Sequence, residues 1–438
     1  MDLIKLNALE ALDMMKRGEL SSEKYVQAFL DHIKIREPLV GAWSFLDYEL
    51  AIQQAKLADK RWKDKNPGKL NGLPIGIKDI IDTKDMPTEN GSSICKNRRP
   101  SDDAHLVKLL RDAGAVIMGK CVTTEFALSG PGKTKNPKDL ECTPGGSSSG
   151  SAAAVSDNMI PLAIGSQTGG SVLRPASFTG ILGLKPTFGT ISRYGMSPIS
   201  QRLDHPGIYA NSTGDINLVA SVILSYDEKD LDMVQNYNYN QDYMLTETPK
   251  FAFVKGPVWD FGEDDMQEQI VKFIKNLSFE VEELNLGDDF NEAASSHEII
   301  MNGSIAKSLS QYYKTEKEKL HPFTISRIEA GFPVSAKQYI ESIENAKKMQ
   351  QTLNKIFNKF DAIITPAAPG QAPRDLMNTG NAIFNGYWTM MGVPAISLPL
   401  LKGEDSLPIG IQIISSWNED FKLLKIAEYI LQETKKAC

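Results

Sequence analysis

The sequence predicts a three-layer α/β protein with one sheet. Apolar segments typical of strands alternate with amphipathic helical segments along most of the chain. The chain has 438 residues, of which 41 % are hydrophobic and 24 % are charged, a composition that is ordinary for a soluble globular protein with a large core. Because open α/β enzymes can keep a single large sheet at this length, we expect one domain over residues 1–438.

The domain is predicted to have three parts. Residues 1–66 are predicted as N-terminal helices, residues 67–225 as the core, and residues 264–360 as a mostly helical segment with a charged, solvated face. The last segment interrupts the strand-rich pattern, so we expect it to form a cover on one side of the core.

Three helices are predicted in the N-terminal part. Asn7 caps the first helix, Glu10 completes a capping box, and Gly18 ends the helix. The second helix has one apolar face and is expected to stop before Pro38, because the residue before a proline disfavours helical geometry. The third covers residues 48–64 and ends at an Asn-Pro-Gly turn.

The core begins with a strand over residues 73–79, where apolar and small residues alternate as in a half-buried strand. Lys78 ends this apolar run. An isolated lysine beside a strand is ordinarily a solvated edge residue, but the motifs that accompany Lys78 along the chain set it apart from that default. A helix over residues 106–113 and a buried strand over residues 115–120 follow, so the alternation of strand and helix continues.

The stretch from Thr143 to Thr187 contains two Ser/Gly clusters, GGSSSGS and TGGS, on either side of the apolar segment MIPLAIG. Glycine inside a helix or strand costs about 0.5–1 kcal/mol relative to alanine, so this density of glycine needs another reason. A flexible linker is one interpretation, but the first cluster is short and runs into SAAAV without a polar spacer. We interpret the two clusters as turns whose backbone N–H groups converge on one point.

The rest of the chain returns to the α/β pattern. A helix is predicted over residues 216–223, a strand over residues 251–254 and a closing helix over residues 420–434. Three further strands are expected before the closing helix, at residues 362–369, 392–400 and 409–415.

Composition argues against several classes of partner. The net charge of −7 provides no basic surface for nucleic acid or an anionic membrane, and no apolar run reaches the roughly 18 residues of a spanning helix. The N-terminus lacks a signal-type apolar core, so a cytoplasmic location is expected. The four cysteines show neither CxxC spacing nor the density of a disulfide framework, and we interpret them as reduced, packed thiols.

Candidates for a catalytic base are few. Of the five histidines, His205 is the one near the Ser/Gly stretch, and a Ser-His-Asp triad would have to use it without a G-x-S-x-G elbow. The others, among them His297 in a helical pattern, are expected to be structural or on the surface. No HExxH motif, Cys/His spacing or phosphate loop is present, so no metal and no cofactor is expected.

Lysine is the remaining base in an ordered apolar segment. To act near neutral pH, its pKa must fall from about 10.4 to about 7–8, which disfavours the charged form by about 3–5 kcal/mol. Burial without a carboxylate partner has that effect. Asp79 follows Lys78 directly, but neighbours along a strand point to opposite faces, so this carboxylate need not neutralise the lysine.

Four ordered motifs resemble those of the amidase signature family. They are GLPIGIKD with Lys78, PGGSSSGSAAAV with Ser147, TGGS with Ser171, and GLKPT at the end of the Ser/Gly stretch. The likeness extends upstream to RDAGAVIMGK and downstream to DAIITPAAPG and GVPAISLPL, so it spans most of the chain. The resemblance implies the amidase signature fold, with one large mixed β-sheet covered by helices on both faces.

The family uses a Ser-Ser-Lys triad, and its motif positions carry over one by one. Ser171 falls at the nucleophile, Ser147 at the bridging serine, which follows a cis peptide bond in the family, and Lys78 at the base. The resemblance implies that neutral Lys78 takes a proton through Ser147 from Ser171, which attacks an amide carbonyl to form an acyl-enzyme. The oxyanion would be held by the backbone N–H groups of Thr168, Gly169, Gly170 and Ser171.

The sequence departs from a common family pattern beside the nucleophile. Many members read Asp-Thr-Gly-Gly-Ser-Ile-Arg, whereas Gln167 and Leu173 stand here in place of that aspartate and that arginine. The arginine comes one position later, as Arg174, and this variant resembles the malonamidase-like subgroup, in which the arginine contacts a substrate carboxylate. By that analogy Arg174 would select a small acidic amide, because a guanidinium can bind a carboxylate through two parallel hydrogen bonds. The alternative is that Arg174 braces the loop.

The leading hypothesis is an amidohydrolase that releases ammonia from a small-molecule carboxamide, with a carboxylate-bearing amide preferred. The helical cover at residues 264–360 would then lie on the substrate side, and a homodimer is left open. The first alternative is the glutaminase component (the A subunit) of a tRNA-dependent amidotransferase, which hydrolyses glutamine for a partner. Gln167, Leu173 and the lack of an evident docking insertion argue against it. A non-enzymatic scaffold ranks last, because all three triad residues are present.

Overall fold

One mixed sheet of eleven strands organises the computed structural model, which describes residues 2–128, 130–235, 237 and 243–437. In chain order the strands are β1 Trp43–Leu46, β2 Pro74–Lys78, β3 Val116–Cys121, β4 Leu162–Gln167, β5 Leu182–Lys185, β6 His205–Ala210, β7 Phe251–Phe253, β8 Val281–Glu283, β9 Ala362–Pro366, β10 Ala395–Lys402 and β11 Pro408–Ile414. Across the sheet they run β1-β3-β2-β4-β6-β5-β10-β11-β9-β7-β8. β2 pairs in parallel with β3 and β4, and β7 pairs in parallel with β8 and β9. The other pairs are antiparallel.

Helices cover this sheet on both faces. Over the described residues they are α1 Ala8–Lys16, α2 Ser22–Val40, α3 Tyr48–Lys63, α4 His105–Asp112, α5 Ser149–Ser156, α6 Leu173–Thr179, α7 Thr213–Ile223, α8 Asp264–Lys275, α9 Ala293–Thr315, α10 Pro322–Gly331, α11 Ala336–Phe357, α12 Ile383–Met391 and α13 Asp420–Ala437. Every residue of strands β2 to β6 is buried, which requires cover on both faces. The predicted fold class is therefore confirmed. Within the same ranges, none of the helices is long and apolar enough to cross a membrane.

The N-terminal helices follow the prediction with one exception. Asn7 caps α1 and shares a capping box with Glu10, as expected. The prediction that the second helix stops before Pro38 was wrong, because α2 runs on to Val40, and Gly41 ends it with a left-handed φ of 65°. A proline in the last turn removes little more than its own N–H bond, so the stop comes from the glycine. The edge strand β1, which pairs with β3, was not predicted.

The strand that carries Lys78 lies inside the sheet. β2 is flanked by β3 and β4, and all of its residues are buried. The prediction of a half-buried strand was wrong, because both faces of this strand are covered, and Lys78 is fully buried rather than a solvated edge residue. Gly76 of β2 allows close packing against the neighbouring strand, since a Cβ at this position would lie 2.7 Å from Sγ of Cys121.

The Ser/Gly stretch folds into two helices on either side of a central strand. α5 begins within the first cluster, at Ser149, β4 begins in the apolar segment and continues to Gln167, and α6 follows the second cluster. Every residue of α5 is buried, so the first cluster is not a flexible linker. Because β2 and β4 are parallel neighbours, their carboxyl ends lie at the same edge of the sheet. This arrangement places Lys78 close to the turn that follows β4.

The segment over residues 264–360 is mostly helical, as predicted, and contains α8 to α11. α9 packs against α10, α11 and α12. The segment also contains the short strand β8, which pairs with β7 and was not predicted. Strand β6 and helix α12 were likewise not predicted.

The cysteines are packed thiols. Cys95, Cys121 and Cys142 are buried and free, as predicted, and Cys438 lies outside the described residues. Burial raises the pKa of the Cys121 thiol to about 12, so this side chain holds no reactive thiolate near neutral pH.

Candidate active site

The turn between β4 and α6 forms one wall of a cavity of about 840 Å³. The turn contributes Thr168, Gly169, Gly170 and Ser171, and α6 contributes Arg174. Further walls come from the helical cover and from α12, through His297 and Glu298 of α9, Arg327 of α10, and Ile383, Gly386 and Tyr387 of α12. The cavity therefore lies between the sheet edge that carries the Ser/Gly turn and the cover.

Lys78 is fully buried at the end of β2 and contacts two serine hydroxyls. Its Nζ lies 2.7 Å from Oγ of Ser147 and 2.8 Å from Oγ of Ser166. A neutral amine can accept a hydrogen bond from one hydroxyl while it donates to the other. Ser166 was not predicted as a site residue, and its signal in the sequence is a polar side chain within the buried strand β4.

The charge of Lys78 is disfavoured where it lies. Burial lowers its pKa well below the ordinary value of 10.5, and the nearby negative charge of Asp204 opposes this shift. The adjacent carboxylate of Asp79 lies 3.6 Å from Nζ of Lys120 instead, in agreement with the opposite orientation of neighbours along a strand. The amine of Lys78 is therefore available as a neutral proton acceptor.

Ser147 follows a cis peptide bond, Gly146–Ser147, as the resemblance implied. Two hydrogen bonds hold this part of the first cluster. The N–H of Thr124 donates to the carbonyl of Ser147 at 3.2 Å, and Nη2 of Arg174 donates to the carbonyl of Gly146 at 2.6 Å. A Cβ on Gly146 would lie 2.7 Å from Cγ2 of Thr379, so a larger residue would displace this loop.

The turn that carries Ser171 is fastened through its carbonyl groups. The carbonyl of Thr168 lies 3.2 Å from Nε2 of His297, and the carbonyl of Gly169 accepts from Oγ1 of Thr389 at 2.6 Å. The carbonyl of Gly170 accepts from the N–H of Arg174 at 3.0 Å. The carbonyl of Ser171 accepts from Oη of Tyr209 at 3.0 Å. In a trans peptide the N–H points away from the preceding carbonyl. Within the described part of the chain, the N–H groups of Gly169, Gly170 and Ser171 have no acceptor. Three successive donors in the cavity wall are thus free to bind a ligand oxygen.

Arg174 is buried in the first turn of α6, with 5 % of its surface exposed. Its Nε donates to the carbonyl of Thr379 at 2.7 Å, in addition to the bond from Nη2 to Gly146. No described carboxylate forms an ion pair with it, and burial lowers its pKa to about 10. The guanidinium therefore braces the loop and also leaves an uncompensated positive charge in the cavity wall.

The structure does not bring His205 to the cavity. This residue lies on β6, its Nδ1 lies 2.7 Å from the carbonyl of Leu203, and its ring packs edge to face against Phe188. The neighbouring carboxylate of Asp204 accepts from the hydroxyl of Thr168 at 2.6 Å. The geometry gives no support to the alternative of a Ser-His-Asp triad.

Helix α12 and His297 are parts of the site whose position was not predicted. His297 was expected to be structural or on the surface, and it is buried with Nε2 against the turn. Asn385 and Thr389 lie four residues apart on α12 and both reach the turn. Thr389 binds the carbonyl of Gly169, and a Cβ on Gly170 would lie 2.4 Å from Oδ1 of Asn385. The sequence signal was this pair of polar residues on one face of an apolar helix.

The chain belongs to the Amidase family, whose family model matches residues 24–424. This is the family that the Ser/Gly motifs resemble, and the protein is accordingly an amidohydrolase of the amidase signature type.

Similar proteins have different recorded roles. The chain is 32 % identical to the A component of the glutamyl-tRNA(Gln) amidotransferase of Clostridium botulinum, over 98 % of this chain and 97 % of the relative. A chain from a vestigial protein complex that reveals the evolutionary origins of an s-triazine catabolic enzyme matches with a TM-score of 0.91 at 25 % identity, covering 98 % of both chains. The peptide amidase of Stenotrophomonas maltophilia matches with a TM-score of 0.82 at 26 % identity, covering 98 % of this chain and 97 % of the other.

Proposed function

We propose that the protein cleaves a carboxamide C–N bond through an acyl-enzyme on Ser171, with Ser147 as the proton relay and Lys78 as the base. The observation that carries this proposal is the 2.7 Å contact between Nζ of Lys78 and Oγ of Ser147. The contact is fully buried, so it offers a neutral amine to a hydroxyl beside the turn that carries Ser171.

In the mechanism, a proton moves from Ser171 through Ser147 to Lys78, and the same relay later returns a proton to the leaving group. Ser147 passes its proton to Lys78 while it accepts the proton of Ser171, whose Oγ bonds to the amide carbon. The carbonyl oxygen becomes an oxyanion and accepts from the free N–H groups of the turn. The C–N bond then breaks, and the relay returns a proton to the leaving nitrogen, which departs as ammonia. Water repeats the sequence on the acyl ester and releases the carboxylate.

For the substrate, we infer a small amide that carries a carboxylate, which Arg174 would bind. The support is the buried guanidinium in the cavity wall, which has no ion-pair partner among the described carboxylates. Two of its nitrogens hold the carbonyls of Gly146 and Thr379, so the residue would serve as brace and as carboxylate partner together. This inference agrees with the malonamidase-like variant of the motif.

A second function is favoured by the comparison with the A components of amidotransferases. The identity of 32 % extends over 98 % of the chain, so hydrolysis of glutamine for a partner complex is the alternative. Glutamine also bears a carboxylate, so Arg174 alone does not separate the two functions. Gln167 and Leu173 remain the sequence features that argue against the alternative.

An ammonia-release screen with purified protein tests the proposal. We expect turnover of small acidic carboxamides without any added protein. Release from glutamine that occurs only when the B and C components of an amidotransferase are added would establish the alternative instead.

Arg174→Ala tests the inferred carboxylate. Since a hydrogen bond to a charged group contributes about 1.5–3 kcal/mol, the ratio of kcat/KM for malonamate to kcat/KM for a neutral amide should fall by about 10- to 100-fold. Loss of the bracing hydrogen bonds should lower kcat/KM for both substrates by a similar factor, and that factor cancels in the ratio. Equal losses on both substrates would assign Arg174 to bracing alone.

A further inference from the structure

A buried chain of side chains leads from the end of β4 to the turn that carries Ser171. Nε2 of Gln167 donates to Oγ1 of Thr389 at 2.9 Å, and Oγ1 of Thr389 donates to the carbonyl of Gly169 at 2.6 Å. Both side chains are fully buried. The mechanism proposed above uses neither of them, so the cost of burying these polar groups needs another reason.

The direction of the bonds is determined by the partners. Oε1 of Gln167 accepts from the N–H groups of Val172 and Leu173, at 2.8 and 3.0 Å. The amide nitrogen must therefore face Thr389, as a donor. Because that donor occupies an acceptor position of Oγ1, the hydroxyl proton of Thr389 is left for a carbonyl.

Two carbonyls lie within reach of the Thr389 hydroxyl. The carbonyl of Gly169 is at 2.6 Å and that of Asn385, one turn earlier in α12, is at 3.0 Å. The carbonyl of Asn385 already faces the N–H of the helical turn above it. Among the described residues, Thr389 is the one donor that the structure offers to the carbonyl of Gly169, so the shorter bond is favoured.

The orientation of one peptide unit follows from this bond. The Gly169–Gly170 peptide is trans, so holding its carbonyl toward α12 turns the N–H of Gly170 in the opposite direction. That N–H is one of the three free donors in the cavity wall. Two successive glycines offer the backbone little resistance to rotation, so without an external tether this peptide would sample other orientations.

We propose that Thr389, aligned by Gln167, is a positioning residue that orients the Gly169–Gly170 peptide for the oxyanion. The inference rests on the proposed function, because it requires an oxyanion formed after attack by Ser171. Thr389 does not line the cavity, so it acts on the oxyanion through the backbone of the turn. A glutamate at position 167 could accept the same two N–H groups, but its ionised side chain would have no proton to donate to Thr389.

Phosphonylation of Ser171 by a fluorophosphonate probe tests this role, because the reaction needs the same backbone N–H donors as the oxyanion. The test does not require a known substrate. Thr389→Val keeps the shape of the side chain and removes the hydroxyl. We expect the maximal rate of labelling to fall by about 10- to 100-fold, with the half-saturating probe concentration changed little. Thr389→Ser restores the hydroxyl and should recover most of the rate, and Thr389→Ala serves as the deletion variant if valine prevents folding.

Thr190→Val is the matched control. Thr190 is fully buried, and its hydroxyl donates to the carbonyl of Thr187 at 2.7 Å, outside the cavity wall. The Thr190→Val variant should lose about as much thermal stability as Thr389→Val and keep the wild-type labelling rate. If wild type is labelled on Ser171 and Thr389→Val reacts as fast, the positioning role is wrong while the proposed nucleophile stands. If wild type is not labelled on Ser171, the proposed function and this inference both fail.

Discussion

For a single residue, Lys78, burial decides the chemistry. Its Nζ is enclosed between two serine hydroxyls and is shielded from water. A protonated amine in this place would have lost its hydration in exchange for neutral acceptors, so the neutral form is favoured. The same lysine at the solvated edge of a sheet would remain protonated and could not serve as a base.

The acid side of the pH profile tests this account. Since burial lowers the pKa of Lys78, kcat/KM should rise as the lysine loses its proton and level off well below pH 10.5. Asp204 opposes the shift, so Asp204→Asn should lower the pKa further and move the acid limb to lower pH.

Asp79→Asn is the control for this measurement. Asp79 pairs with Lys120 rather than Lys78, so its loss should leave the acid limb in place. An acid limb that Asp204→Asn does not move, or that both variants move equally, would show that the ionisation belongs to another group.

Some site residues could be predicted from the sequence and others could not. Lys78, Ser147 and Ser171 stand in motifs that suggested their roles, and the lack of a suitable histidine also pointed to a lysine base. Ser166 and Thr389 stand outside the quoted motifs, and they reach the site only because their elements pack against it. Each stands out in the sequence as a polar residue in an apolar element, but that signal does not show which distant group the hydroxyl contacts.

Among the elements, α12 forms part of the cavity wall and was not predicted. It packs against α9 of the cover and carries Thr389 to the turn. Nearly all of its residues are buried, so it has no solvated face to reveal it as an amphipathic helix. Pattern reasoning succeeds for half-exposed helices such as α1, and it fails for a short helix that is covered on all sides.

Gly386→Ala tests the contact between α12 and the cover. A Cβ at this position would lie 2.6 Å from Nδ1 of His297, so the ring would move away from the carbonyl of Thr168. Alanine in place of glycine within a helix ordinarily stabilises by about 1 kcal/mol, so α12 should persist. We expect kcat to fall by about tenfold or more, because a displaced turn no longer presents its donors correctly.

Gly303→Ala on α9 is the comparison variant. The added Cβ would lie 3.2 Å from the ring of Tyr339, its nearest neighbour, so kcat should stay near the wild-type value. If both variants keep wild-type kcat, the contact of His297 with the turn has no part in the reaction.

For the whole molecule, the sheet joins residues that the sequence separates. Lys78 and Ser147 are 69 residues apart, and they meet because α5, which begins two residues after Ser147, packs on the parallel neighbours β2 and β4. The sequence pattern predicted β2 as a strand and the region of β4 only as a buried apolar segment, and it does not specify which elements pair. The order β1-β3-β2-β4-β6-β5 places strands side by side that are not consecutive in the sequence, so the adjacency could be anticipated only through the family resemblance.

The central claim is that Ser171 is the nucleophile, served by Ser147 and Lys78. Its most direct test is mass-spectrometric mapping of a fluorophosphonate adduct on purified protein. We predict one adduct, on Ser171, in the wild type, no adduct in Ser171→Ala, and strongly slowed labelling in a Lys78→Ala variant that keeps the wild-type circular dichroism spectrum. An adduct that survives in Ser171→Ala, or labelling of Lys78→Ala at the wild-type rate, would contradict the account.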